Sequence, residues 1–172
     1  MPITPDQKDW TWVLSRPCPD CAFDVATATP ATVPGIIKSL LPRWRAALRR
    51  PDAAQRSTPD SWSVLEYAAH VRDVFALFDQ RLHLMLDVDN AEFADWDQDA
   101  AALDSGYASA DPAVVSAELT AEGEQIAASF AAAPESEWSR TGRRSNGSAF
   151  TVLTFSQYLL HDVVHHTHDI DA

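Results

Sequence analysis

The sequence is poor in positive charge and has no long apolar run. It holds 13 Lys and Arg residues against 25 Asp and Glu residues, which gives a formal net charge of -12. Such a surface repels phosphate backbones, so the composition argues against nucleic-acid binding. A membrane-spanning helix needs about 18 or more consecutive apolar residues, and the sequence contains no such run. We therefore expect no direct role at nucleic acid or within a membrane.

Cysteine is also scarce, since only two are present. Two cysteines cannot supply the disulfide framework of a small secreted protein. The first residues lack the basic and apolar regions of a signal peptide, so we expect a cytoplasmic protein. With 172 residues, 46% of them hydrophobic, the chain suits one globular domain. We expect that domain to span residues 1–172, with residues 1–30 as an irregular extension.

Helical patterns dominate and predict an all-α fold, a four-helix bundle. The start signals lie after Pro30 or Pro34, near Ser61, at Asp111 and between Ser148 and Thr151. Pro42 falls inside the first helix and should kink or interrupt it. The second helix carries an apolar stripe from Val71 to Met85. The long connections between helices 2 and 3 (residues 87–110) and between helices 3 and 4 (residues 134–147) are candidate pocket walls.

Four of the six histidines belong to the last predicted helix: His161, His165, His166 and His168. His161 and His165 are four residues apart, so they project from one face and can share a metal ion. His168 is about 10.5 Å along the helix axis from His161, too far for the same tetrahedral ion. A third ligand should come from the second helix, where we favour His70 over His83.

The sequence thus favours a metal site of His70, His161 and His165. Three imidazoles leave one position for water or substrate, which is typical of catalytic zinc sites. A plainer interpretation is a solvated polar stripe near a helix C-terminus. In either case we place His166 at the surface or behind the ligands and keep His168 as the reserve ligand. The flanking carboxylates, Asp162 and Asp169, could orient an imidazole, but we favour a solvated acidic surface for both.

Four segments follow one another in a specific order. They are Trp62-Ser-x-Leu-Glu-Tyr-x-x-His70, Trp96-Asp-Gln-Asp, Trp138-x-Arg-x-Gly-x-Arg-Ser-x-Gly-Ser-x-Phe-Thr and Tyr158-x-Leu-His161-Asp-x-x-His165-His. In this order they resemble the DinB-like (YfiT-like) metalloenzyme superfamily, over most of the chain. The resemblance implies a four-helix bundle with a divalent metal, often zinc or nickel. Matched residue by residue, its ligands are His70, His161 and His165.

The resemblance also implies a reaction class, because relatives include thiol-dependent transferases and isomerases that use mycothiol, bacillithiol or glutathione. We expect a metal-dependent enzyme that transfers such a thiol to an electrophilic small molecule, with no catalytic residue assigned. Arg143 and Arg144 could hold an acidic group of the thiol, and Tyr158 could hydrogen-bond it. Two alternatives stay open: a metal-dependent hydrolase using the same ligands, and a non-catalytic, metal-stabilised helical module that could pair as a homodimer.

Cys18 and Cys21 form a C-x-x-C motif in a segment that looks like a loop. We favour reduced structural thiols, with a disulfide or redox pair as the next alternative and metal binding as the last. A structural zinc would need two further ligands, and the sequence has no second C-x-x-C.

Overall fold

The computed structural model describes residues 9–172. Its elements are, in chain order, α1 (Val33–Ala47), α2 (Val64–Asp87), β1 (Ala91–Phe93), α3 (Gln98–Asp104), α4 (Pro112–Ala132), β2 (Thr141–Arg144), β3 (Ala149–Thr151) and α5 (Val152–Asp169). The four long helices α1, α2, α4 and α5 are the four that the sequence predicted. Short 3-10 helices at Trp10–Leu14 and Val25–Thr27 interrupt an otherwise irregular N-terminal segment.

Local hydrogen bonds explain where the long helices begin. Ser63 caps α2: its hydroxyl accepts from the Glu66 amide at 3.2 Å, and the Glu66 carboxylate accepts from the Ser63 amide at 2.9 Å. Asp111 accepts from the backbone of the first turn of α4, as predicted. Thr151 caps α5 directly after β3. These local signals are why the helix starts could be predicted to within a few residues.

The four long helices pack around one apolar core. α4 lies on both α1 and α2, and α5 also contacts both of them. α1 continues through Pro42 without the predicted interruption. Leu40, Leu41 and Trp44, on either side of the proline, are all buried. Their packing offsets the hydrogen bond that the proline removes.

The prediction of an all-α fold was wrong in one respect, because the two long connections meet in a three-stranded sheet. β1 pairs in parallel with β2, which pairs antiparallel with β3. Strands of three or four residues are too short to reveal an alternating pattern in the sequence. Gly147, with φ of +97°, permits the tight turn between β2 and β3. The sheet fixes both connections beside the start of α5.

Gly123, on α4, lies where side chains of α1 and α2 come close to the α4 backbone. A Cβ atom there would clash with Leu41 Cδ2 and lie 3.1 Å from Phe75 Cε2. We expect Gly123→Ala to lower the free energy of unfolding by about 1 to 2 kcal/mol, since overpacking outweighs the gain in helix propensity. Gly35→Ala, on α1, is the control because its Cβ would meet nothing within 4 Å. Urea denaturation of both variants tests this, and equal stability of the two would contradict the packing argument.

In the part of the chain that the structure describes, no helix has the length and apolar character needed to cross a membrane.

Candidate functional site

A cleft of about 960 Å³ runs along α5, and Tyr67 of α2 also lines it. The N-terminal segment, with Trp10, forms one wall, and the connection after β1, with Trp96, forms another. Among the described residues, seven aspartates line the cleft: Asp9, Asp20, Asp95, Asp97, Asp99, Asp162 and Asp169. Arg144 is the one basic side chain in the same lining apart from histidines. The cleft therefore carries a negative potential, which favours cationic or neutral ligands over anionic ones.

His70, on α2, is only 1% exposed and lines a smaller pocket of about 80 Å³, which shares Trp96 and Asp162 with this cleft. Its ring stacks on Trp96 with centroids 5.5 Å apart and is tilted against Trp62 at 5.3 Å. The ring of His166, on α5, meets it edge-on at 5.0 Å. Nε2 of His70 lies 3.5 Å from Oδ2 of Asp162. Aromatic packing thus fixes the imidazole in front of two polar side chains of α5.

Asp162 and His166 are four residues apart, so both project from the face of α5 that meets α2. A ligand atom from each, together with one from His70, forms a group whose atoms all lie within 4.8 Å of one another. His166 Nδ1 and Asp169 Oδ2 are 2.8 Å apart, and His166 Nε2 lies 3.7 Å from Asp162 Oδ1. A hydrogen bond from Nδ1 to Asp169 leaves Nε2 with its lone pair directed at the cluster.

This cluster has the donor set and the unmet bonding capacity of a metal site. Within residues 9–172, both ring nitrogens of His70 and Oδ2 of Asp162 are buried without a hydrogen-bond partner. Leaving one such atom unsatisfied costs about 1 to 3 kcal/mol. Two imidazoles and one carboxylate are ordinary ligands of zinc and of other divalent transition metals. A cation bound between them would satisfy Oδ2 of Asp162 and one ring nitrogen of His70.

The protonation states also suit a cation. Burial lowers the pKa of His70, and burial together with the neighbouring His165 lowers the pKa of His161 to about 4. Burial alone would raise the pKa of Asp162, but the facing imidazoles of His166 and His70 lower it to about 2. At neutral pH His70 therefore presents an imidazole lone pair and Asp162 an ionised carboxylate.

A second cluster lies on the adjoining face of α5. His161 and His165 have ring centroids 5.2 Å apart, and Trp10 packs against both. Ligand atoms of Cys18, Cys21, His161 and His165 all lie within 4.8 Å of one another. Burial raises the pKa of the Cys21 thiol to about 11, although the Phe23 amide opposes this. Both cysteines are free thiols.

The structure thus divides the predicted triad between two clusters. His161 and His165 lie together, as their spacing predicted, while His70 faces Asp162 and His166. The interpretation of the histidines as a solvated stripe does not hold for His161, which is 4% exposed. One ion shared by His70, His161 and His165 stays a prediction.

Two of the three residues predicted to bind the thiol line the cleft, and the third does not. Arg144 and Tyr158 line the cleft, and the Arg144 guanidinium lies 5.2 Å from the ring centroids of both Phe150 and Tyr158. Arg143 alternates to the opposite, exposed side of the strand. Burial raises the pKa of Tyr158, so its hydroxyl remains protonated and can donate a hydrogen bond.

Sequence reasoning missed Asp162 and His166 as candidate ligands. The signal was available, because these two residues have the same four-residue spacing as His161 and His165, displaced by one position. A displacement by one residue rotates the pair by about 100° around the helix. Only the packing of α5 against α2 decides which of the two pairs faces His70.

Comparisons with known proteins agree with this architecture. The family model of the DinB superfamily matches residues 39–170. Among solved structures, the chain is similar to YfiT from Bacillus subtilis, described as a probable metal-dependent hydrolase with an unusual four-helix bundle topology. The two share 15% sequence identity with a TM-score of 0.72, over 81% of this chain and 82% of YfiT. At that identity the likeness shows the fold alone, and no curated protein matches the sequence. Because the family model covers most of its length, this chain belongs to the DinB superfamily.

Proposed function

We propose that this protein is a divalent-metal-dependent enzyme whose ion is held by His70, Asp162 and His166. The observation that carries the proposal is the convergence of these three side chains beside a large cleft, with buried ligand atoms of His70 and Asp162 that make no hydrogen bond. Three protein ligands leave at least one coordination position for a substrate, which distinguishes catalytic from structural sites. The ion when bound would supply Lewis acidity, which lowers the pKa of a thiol or water in its open position.

The reaction we propose is transfer of a low-molecular-weight thiol to an electrophilic small molecule. A cleft of about 960 Å³ is large enough for a thiol and a second substrate together. Its excess of aspartates repels the carboxylates of glutathione or bacillithiol. Neutral, hydroxyl-rich thiols of the mycothiol type suit it better, because hydroxyls donate to carboxylates and apolar sugar faces pack on indole rings.

Other side chains of the protein would orient the ligands and bind the cosubstrate. Asp169 orients His166 through its Nδ1, so that the facing nitrogen stays available. Trp62 and Trp96 hold the His70 ring and keep water away from it. Tyr158 and Arg144, which line a small pocket together with His70 and Asp162, can donate hydrogen bonds to the thiol cosubstrate. Arg143 would contact a thiol only if the cosubstrate extended around the edge of the strand.

Hydrolysis is the second candidate, and one observation favours it. Asp169 is a carboxylate that lines the cleft beside the cluster, where a general base would stand. Its hydrogen bond to His166 competes with that role, because an oxygen that orients an imidazole is less available to take a proton from water. We therefore rank thiol transfer first.

Thermal shift with mycothiol, bacillithiol and glutathione tests the proposal, in the metal-loaded and the chelator-treated protein. We expect mycothiol to raise Tm only when metal is present, and the anionic thiols to raise it less. Turnover is then measured as loss of free thiol in the presence of a chlorinated nitroaromatic electrophile. Stabilisation by no thiol, together with metal-dependent cleavage of an ester or amide panel, would replace thiol transfer by hydrolysis.

A further inference from the structure

The C-x-x-C motif and the predicted histidine pair have no role in the proposed reaction, yet the fold brings them together. We propose that Cys18, Cys21, His161 and His165 bind a second, structural zinc ion. The site is distinct from the cluster of His70, Asp162 and His166, which we call the cleft site, and it does not depend on the function proposed above. Zinc follows from the donor set, because two thiolates and two imidazoles in tetrahedral arrangement select zinc among common cellular metals.

The distances fit such a site. In a tetrahedral zinc site with bonds of about 2.3 Å to sulfur and 2.0 to 2.1 Å to nitrogen, a sulfur and a nitrogen ligand lie about 3.6 Å apart. Cys18 Sγ is 3.6 Å from His165 Nδ1. A hydrogen bond between these two atoms alone would leave Nε2 of His161 buried without a partner in the described part of the chain. A shared cation satisfies all of these atoms.

Backbone hydrogen bonds hold Cys18 and Cys21 in a tight turn. The Ala22 amide donates to the Cys18 carbonyl at 2.9 Å, and the Cys18 amide donates to the Phe23 carbonyl at 3.0 Å. Ala22 has φ of +59°, a left-handed conformation that costs a non-glycine residue about 1 kcal/mol or more. The strained turn brings both sulfurs to one side of the loop, towards α5. When zinc binds, each thiol releases its proton to solvent as its zinc–sulfur bond forms.

Four protein ligands close the coordination sphere, so this ion would be structural rather than catalytic. It would fasten the irregular N-terminal segment to α5, where few regular backbone hydrogen bonds hold that segment. The position of Trp10 would depend on this attachment, because its ring packs 5.0 Å from the His165 ring. Trp10 also lines the cleft. The zinc would therefore fix one wall of the cleft without contacting the substrate.

Cobalt substitution of the full-length protein tests the site. We expect the wild type to show sulfur-to-cobalt charge-transfer absorption together with tetrahedral visible bands. The double variant Cys18→Ser/Cys21→Ser should lose the charge-transfer band and one equivalent of metal, and its Tm should fall by roughly 10 °C. His165→Cys should keep the tightly bound metal, since three cysteines and one histidine form an accepted zinc set, whereas His165→Ala should lose it.

Two variants separate this proposal from its competitors. His168→Ala is the matched control, because this exposed histidine lies on the same helix outside both clusters. It should retain full metal content. His70→Ala should retain the charge-transfer band even if it abolishes activity, so failure of the cleft site and failure of the zinc site give different results. A wild-type protein without the band, or a band erased by His70→Ala, would overturn the proposal.

Discussion

Replacement of His70 by alanine is expected to remove one equivalent of metal per chain and to lower kcat/KM by roughly 1000-fold. The side chain is buried between two tryptophans and faces Asp162, and alanine supplies no nitrogen to the cluster. Loss of Lewis acidity removes several kcal/mol of charge stabilisation, and each 1.4 kcal/mol is a factor of ten in rate. Metal analysis of the purified variant and turnover of the substrate found by screening measure both effects.

His83→Ala is the matched control on the same helix. The His83 side chain is 56% exposed and contacts Asp79 and Ser129 rather than either cluster. Its removal should change neither metal content nor rate. His70→Gln keeps most of the side-chain volume, so it separates the loss of a ligand from the loss of packing. It should lose metal as His70→Ala does. Full metal content in both His70 variants would refute the cleft site.

Glu66→Gln is expected to lower the free energy of unfolding by about 3 kcal/mol, the largest effect on stability we anticipate away from the metal clusters. Glu66 is 3% exposed, and its carboxylate makes a two-pronged ion pair with Arg56 while also capping α2. Glutamine can keep the cap but removes the carboxylate charge that faces the Arg56 guanidinium. The value lies at the lower end for buried pairs because the Arg56 side chain is 23% exposed. For a chain of this size Tm should fall by roughly 6 to 12 °C.

The effect of Glu66→Gln should depend on pH. Burial alone would raise the pKa of Glu66, but the Arg56 guanidinium and the Ser63 donors hold it below its ordinary value of 4.5. A group with a depressed pKa contributes its stability above the unfolded value and loses it as the pH falls through the folded value. The difference between wild type and variant should thus be complete at neutral pH and shrink below pH 4.5.

Glu118→Gln is the control for this ion pair, since Glu118 also pairs with an arginine, Arg72, but has a 49% exposed side chain. We expect its cost to stay below about 1 kcal/mol. Equal costs for Glu66→Gln and Glu118→Gln would show that burial of the Glu66 carboxylate does not matter.

The parts of the fold that the sequence predicts are those with local causes. Helix starts at Ser63, Asp111 and Thr151 follow from side chains that bond amides two or three residues away. The sheet depends on pairing between β1 and β2, whose partners Ala91 and Gly142 are far apart in the chain. Nothing within three or four residues signals such a pairing, so the strands were missed.

The candidate site shows the same division between local and distant causes. The helical period predicts that residues four apart on α5 can share an ion. Two overlapping pairs have this spacing, His161 with His165 and Asp162 with His166. The rotation of α5 against α2 selects Asp162 and His166 for the cluster around His70. Cys18 meets His165 across 147 residues of sequence, a contact that no spacing rule indicates. The sequence therefore predicts the ligand types and the helices that carry them, and tertiary packing decides which ligands share an ion.

Anomalous diffraction at the zinc absorption edge, on crystals of the zinc-loaded protein, tests the central claim most directly. We predict two separate peaks per chain, one within bonding distance of His70, Asp162 and His166 and the other bonded to Cys18, Cys21, His161 and His165. A single peak bonded to His70, His161 and His165 together would contradict this account and restore the triad that the sequence alone predicts.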